Sequence, residues 1–110
     1  MLQPEWKLQM SAYFVLTHTI TDPERYRNEY IPGVVPFLQK YKAKILVSDF
    51  EAKPLEGNPA RGLVVIKFDS EQTIQDFLND PGYKPAKDLR LAITTNASAV
   101  MAPEFQQSES

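Results

Sequence analysis

The chain alternates short apolar segments with longer amphipathic ones. Residues 11–18 (SAYFVLTH), 44–50 (KILVSDF) and 63–68 (LVVIKF) are rich in aromatic and β-branched residues, which predicts three strands. Residues 96–102 (NASAVMA) alternate more weakly and are predicted to form a fourth strand.

The first helix is predicted to begin at "TDPERY", where Asp22 can cap free N–H groups and Pro23 needs no donor. Its apolar stripe recurs every three to four residues, at Tyr26, Tyr30, Val34, Leu38 and Tyr41. Because Pro32 and Pro36 each lack an N–H, we expect a kink or a break near residues 31–33.

A second helix is predicted to start at Ser70, and residues 84–93 (KPAKDLRLAI) are predicted to form a further helical segment. The order β-α-β-β-α-β predicts an α+β, ferredoxin-like sandwich. We expect one domain over residues 11–102, an N-terminal extension over 1–10 and a polar tail over 103–110.

The predicted sheet is apolar on both faces, since the odd and the even residues of 11–18 and 63–68 are both apolar. Helices would cover only one face, and a large exposed apolar patch is rare on monomers. We therefore expect a homodimer in which two sheets stack face to face.

Composition narrows the possible functions. The 110 residues carry a formal net charge of −2, which disfavours nucleic-acid binding. The chain has no cysteine and a single histidine, so disulfides and the usual zinc patterns are excluded, and we expect no metal and no cofactor. No segment resembles a signal peptide or a membrane span, so a cytoplasmic location without a membrane partner is expected.

Five motifs, in order, resemble those of the domain of unknown function 1330 family: TDPERY, VVPFLQKY, PLEG, LVVIKF and NDPGYKPAKDLRL. That family belongs to the dimeric α/β-barrel superfamily, so the resemblance implies ferredoxin-like protomers that pair through their sheets. It implies no reaction, although wider relatives include cofactor-independent oxygenases and lactone isomerases. Two departures are Lys42-Ala43 in place of a glycine pair, and a stretch EYIPGVVP that is one residue longer than usual.

The candidate catalytic residue is His18, predicted to end the first strand, where an imidazole can serve as general base. The alternative is a structural histidine that bonds to a loop or a helix terminus. The candidate ligand-binding residues are Tyr26, Tyr30, Glu56, Tyr83 and Arg90. For these, too, structural roles are open: core packing for the tyrosines, a solvated turn for Glu56 and an ion pair with an acidic neighbour for Arg90.

Two functions remain open at this level. In the first, a dimer binds a small organic ligand between sheet and helices, with cofactor-independent chemistry at His18; it requires a closed cavity of ligand size containing His18. In the second, the chain is a non-catalytic interaction or structural protein, with a filled core and His18 satisfied by protein groups alone. The sequence does not decide whether the protein is an enzyme.

Overall fold

The computed structural model describes residues 10–106, which form a four-stranded antiparallel sheet with three helical segments on one face. The strands are β1 (Ala12–Ile20), β2 (Lys44–Asp49), β3 (Gly62–Phe68) and β4 (Thr94–Pro103). Helix α1 spans residues 23–40, α2 spans Glu71–Leu78 and α3 spans Lys84–Ala92. The strand order β2-β3-β1-β4 is that of the predicted ferredoxin-like α+β fold.

The helices cover the face that carries the even-numbered residues of β1 and β3. Phe14 and Leu16 of β1, with Ile66 and Phe68 of β3, are buried there against Ile74 and Phe77 of α2 and the apolar stripe of α1. Burial of this single apolar layer is the main stabilising contribution to the fold.

Helix α1 changes its hydrogen-bonding pattern one turn before the predicted break. It begins as an α-helix over Pro23–Arg25, capped by the Asp22 carboxylate, which accepts from the Arg25 N–H at 3.1 Å. Tyr26–Tyr30 form a π-helical turn, in which the N–H of Ile31 donates to the carbonyl of Tyr26, and an α-helix then continues over Ile31–Lys40. A π-turn encloses one residue more than an α-turn, which accommodates the extra residue noted in the sequence.

The turn after α1 explains why a glycine pair suits that position. Lys42 has a φ of +55°, in the left-handed region. The Lys42 N–H donates to the Gln39 carbonyl at 3.1 Å and the Ala43 N–H donates to the Leu38 carbonyl at 2.8 Å. These two bonds form a Schellman motif, whose left-handed residue is usually glycine.

The strand ends differ from the predicted ones where the pairing is irregular. β1 does not end at His18 but continues to Ile20, and its pairing with β4 shifts register between Thr17 and Thr19. Opposite that shift Asn96 adopts a φ of +51°, and β4 begins at Thr94 rather than at residue 96. Such bulges change the direction of neighbouring side chains.

The uncovered face of the sheet carries a row of four valines. The register pairs Val47 with Val65, Val65 with Val15, and Val15 with Val100, so the row crosses all four strands. Val47 is 39% exposed and Val100 is 61% exposed. Within residues 10–106, no helix or strand covers this apolar face.

Residues 1–9 of the predicted extension and residues 107–110 of the predicted tail lie outside the described residues. Within residues 10–106, none of the helices combines the length and the apolar character that a membrane span needs.

Candidate functional site

The sole histidine lies inside the protein, on the helix-covered face of β1. His18 is 0% exposed, and neither of its ring nitrogens has a hydrogen-bond partner among residues 10–106. Burial, together with the nearby positive charge of Arg90, lowers the pKa of His18 from 6.5 to about 4. The imidazole is therefore neutral at pH 7, with one nitrogen able to donate and the other able to accept.

The strand opposite His18 contributes a glycine, which makes room for the ring. His18 pairs with Gly62 in the β1–β3 register. A Cβ atom at position 62 would lie 2.6 Å from the His18 carbonyl oxygen and 2.9 Å from its ring Cδ2. Only a residue without a side chain fits here.

Three buried tyrosines of the helical layer extend from the histidine in a chain of contacts. The Tyr26 ring packs edge-on against His18, with 5.4 Å between ring centroids, and lies tilted against Tyr30 at 5.0 Å. The Tyr30 and Tyr83 hydroxyls are hydrogen-bonded at 3.0 Å, and Tyr83 stacks on Phe77 at 4.3 Å. Burial is the main cause that raises the pKa of Tyr26 to about 12 and that of Tyr30 well above 10, so these two hydroxyls are neutral at pH 7.

Arg90 adds a positive charge to this group. Its side chain on α3 is 4% exposed, its Nε is buried without a partner, and no described residue accepts a hydrogen bond or forms an ion pair with its guanidinium. Its charge also opposes the rise in the pKa of Tyr26 and Tyr30. The ion pair with an acidic neighbour considered in the sequence analysis is therefore wrong for residues 10–106.

We call His18, Tyr26, Tyr30, Tyr83 and Arg90 the buried polar cluster. Five of the six sequence-predicted site residues thus meet at one end of the sheet. Glu56 does not join them: it is exposed in the loop between β2 and β3, next to Gly57, which has a φ of +72°. No pairing of Glu56 with His18 or Arg90 exists within the described part of the chain.

An open pocket of about 700 Å³ lies beside the cluster, a volume typical of small-molecule sites. It is lined by the end of β1, the start of α1 and the loop after β2, and its wall includes Ile20, Arg27, Phe50, Arg61 and Gly62. Sequence reasoning missed this pocket, because its walls come from segments that are distant in the chain.

Phe50 and Gly62 separate the open pocket from the buried polar cluster. The Phe50 ring packs edge-on against Tyr26 at 5.1 Å, and the Arg27 guanidinium lies 4.7 Å from the Phe50 ring centre. A Cβ atom added at Gly62 would lie 3.5 Å from Nε2 of His18. Because glycine has no Cβ, no side chain at position 62 separates this edge of the imidazole from the pocket.

A second, enclosed cavity lies between α1 and the sheet. It holds about 60 Å³ and is lined by apolar side chains such as Leu16, Val34 and Ile66. This volume suits a few water molecules rather than an organic ligand, and His18 is not part of its wall. Neither cavity is the closed one of ligand size containing His18 that the first function required. Among residues 10–106, no group of three histidine, cysteine, aspartate or glutamate side chains is placed to hold a metal ion.

A family model described as a domain of unknown function (DUF1330) matches residues 11–103. The chain belongs to the DUF1330 family. The match covers the whole sheet of this DUF1330 protein and every residue of its buried polar cluster. No curated protein matches the chain.

Several solved structures share the fold of this DUF1330 protein. A protein of unknown function from Rhodopseudomonas palustris is similar with a TM-score of 0.72 and 11% identity, over 90% of this chain and 85% of that chain. SnoaB, a cofactor-independent oxygenase from Streptomyces nogalater, is similar with a TM-score of 0.63 and 15% identity, over 92% and 99% of the two chains.

A dimeric ferredoxin-like protein of unknown function from Thermobifida fusca is similar with a TM-score of 0.53 and 14% identity, over 94% and 99% of the two chains. At these identities the likeness shows the ferredoxin-like fold alone and not a shared activity.

Proposed function

We propose that this protein is a homodimer that binds a small organic ligand in the open pocket, with His18 as the polar group that the ligand reaches past Gly62 and Phe50. The observation that carries this proposal is the state of His18, buried with both ring nitrogens unpartnered among residues 10–106. Buried polar groups are nearly always hydrogen-bonded, and exceptions mark places where a ligand or water belongs.

The sizes of the two cavities decide where the ligand is proposed to bind. The enclosed cavity is too small for an organic molecule, whereas the open pocket has the volume of a ligand site. Rotation of Phe50 away from Tyr26 joins this pocket to the cluster. A bound ligand then replaces Phe50 against the tyrosine rings and hydrogen-bonds to His18.

Chemistry at this site would use His18 as a base without a cofactor. A neutral imidazole can accept a proton from a bound ligand, and the Arg90 charge stabilises the anion that is left. Burial, together with the same charge, makes His18 a weak base, so the step favours acidic C–H or O–H groups. SnoaB is a cofactor-independent oxygenase with the same fold, which supports the plausibility of chemistry without a cofactor but assigns none.

The dimer is proposed on the uncovered valine row. Stacking two copies of this face would bury it, and a stable interface removes about 800 Å² from each partner. The similarity to a protein described as dimeric supports the same arrangement. We propose residues 11–102 as the unit that dimerises and binds the ligand.

The test uses the fact that the chain has one histidine. In ¹⁵N-labelled protein, every imidazole nitrogen signal then belongs to His18, and benzamide and benzoate serve as aromatic probes. We expect at least one probe to shift these signals saturably. In the Phe50→Ala variant the shift should change, whereas in a Phe105→Ala control, at a side chain that is 85% exposed, it should not.

The second candidate is a non-catalytic interaction protein, which the exposed apolar residues Ile45 and Leu46 of edge strand β2 favour. That function predicts no change at His18 with either probe. The histidine satisfied by protein groups alone, which this function was expected to show, is not found among residues 10–106. The function therefore predicts imidazole signals of a ring bonded only to internal water. Such a result would exclude the ligand site and leave the dimer untouched.

A further inference from the structure

Among the described residues, 10–106, Arg90 is a buried cation without a counter-ion. The guanidinium is 4% exposed, and within residues 10–106 it has neither a carboxylate nor a carbonyl as partner. Taking a charge out of water costs free energy that an anion or a set of acceptors must offset. Its side chain sits in the last turn of α3, where the helix dipole offsets only part of that cost.

The groups around Arg90 cannot supply the missing negative charge. Its charge acts on His18, Tyr26 and Tyr30, and each of these is neutral at pH 7. Tyr83, which bonds to Tyr30, also carries only a hydroxyl. The cluster is therefore positively charged as a whole, although it is lined mostly by aromatic rings.

The open pocket does not itself select the sign of a ligand's charge. Its wall carries two arginines, Arg27 and Arg61, and two carboxylates, Asp49 and Glu51. Selection by charge can then occur only further in, at Arg90.

We infer that the ligand of the proposed site is an organic anion, a small aromatic or unsaturated carboxylate or enolate, whose charged group pairs with Arg90 while its ring lies against the tyrosines. This inference rests on the proposed function. An anion supplies the counter-ion that Arg90 lacks, and an acceptor oxygen satisfies the donor nitrogen of His18. The aromatic walls favour an organic anion over inorganic phosphate, which would have to lose its hydration shell against rings that offer few donors.

The experiment compares benzoate with benzamide, which has nearly the same shape but no charge, and with inorganic phosphate, by the His18 imidazole shifts at pH 7. We expect benzoate to bind at least about 10-fold more tightly than benzamide, as a charge-assisted bond to a buried guanidinium implies. Phosphate should not shift the signals.

Variants separate the charge from the shape of the site. Arg90→Met keeps the apolar stem and should abolish the preference for benzoate while leaving benzamide binding. Arg90→Lys should retain part of the preference. Arg25→Met is the control, because Arg25 lies on the exposed face of α1 in an ion pair with Glu29 at 2.9 Å.

The outcomes distinguish this inference from the proposed function. Equal binding of benzoate and benzamide to the wild type overturns the anion inference but leaves a ligand site at His18. A response to phosphate alone overturns the organic class, and no response to any probe overturns both. The wild-type comparison decides the point even where Arg90→Met does not fold.

Discussion

Burial of an unpaired imidazole makes the stability of the fold depend on pH. The pKa of His18 is about 4 in the folded protein, against 6.5 for an ordinary histidine. Between these values the unfolded chain binds a proton that the folded protein does not, so stability rises with pH across this range. Above pH 6.5 the contribution is constant.

We predict that lowering the pH from 7.5 to 4 costs the wild type up to about 3 kcal/mol through His18 alone. His18→Phe, which cannot titrate, should lack this component. Urea unfolding of both proteins at a fixed protein concentration measures it. Parallel stability curves for the wild type and the variant over this pH range would contradict the assignment.

The second prediction at the residue scale concerns Gly62. Its built Cβ would lie 2.6 Å from the His18 carbonyl oxygen, so Gly62→Ala forces the two strands apart or moves the ring. We expect a loss of about 1–3 kcal/mol, as for other overpacked sites, and altered imidazole shifts. The control is Gly33→Ala in α1, where the nearest atom is the Ala86 Cβ at 3.4 Å and alanine favours the helix. Unchanged imidazole shifts in Gly62→Ala would refute the packing described here.

At the element scale, helix α1 has two irregular points, a π-turn near its start and a Schellman turn at its end. Tyr26 and Tyr30 are the first and the last residue of the π-turn, and both are buried. At its other end, the Schellman turn holds a lysine in a backbone conformation that suits glycine. The π-turn holds two tyrosines of the buried polar cluster, whereas the left-handed lysine of the Schellman turn costs stability.

Replacing Lys42 should therefore stabilise the protein. Lys42→Gly removes a left-handed non-glycine residue, and we expect a gain of about 1 kcal/mol in the free energy of unfolding. Thermal unfolding measures the gain. As a control, Lys87→Gly in the interior of α3 should destabilise, because it places glycine within a helix. A destabilised Lys42→Gly would mean that the lysine side chain contributes more than its backbone strain costs.

The turn between α2 and α3 is tied to α1 by one carboxylate. Asp80 accepts hydrogen bonds from Lys40 and Tyr41, both at 2.7 Å, and from the Gly82 N–H at 2.8 Å. These bonds lower the pKa of Asp80 from 3.8 to about 2. Because the folded pKa is depressed, the stabilisation is complete above pH 3.8 and is lost as the pH falls through 2.

Asp80→Asn should accordingly destabilise the protein at pH 7, and its difference from the wild type should shrink between pH 4 and pH 2. Asp88→Asn is the matched control, since Asp88 forms only an exposed pair with Lys84. Acid titrations of the unfolding midpoint compare the three proteins. A difference that stays constant down to pH 2 would show that the carboxylate charge is not what ties the helices together.

For the whole molecule, sequence reasoning succeeded where the signals are local. Alternation predicted the strands, and Asp22 and Ser70 predicted helix starts that the structure has. It also selected His18 as an imidazole at a strand end and Arg90 as a guanidinium on a helix that borders the sheet. It did not find the contact of Gly62 with His18, which depends on the β1–β3 register, nor the place of Phe50 beside Tyr26, which depends on how the loop after β2 meets α1. Glu56 was selected because it lies in the PLEG motif, and no local sequence signal predicted where the loop that carries it would lie.

At the scale of the whole molecule, the proposed dimer depends on the valine row. Val100 lies at the edge of this row and is 61% exposed, so a lysine there can be solvated in a separate protomer but not inside a stacked interface. Leu91, which is 51% exposed on α3, offers a matched apolar position away from the row. Sedimentation should give the wild type and Leu91→Lys twice the 12.5 kDa mass of one chain, and Val100→Lys the mass of one chain or a mixture that dissociates on dilution. If the wild type sediments as a single chain at high concentration, the uncovered face does not pair with a second copy, and the dimer is wrong.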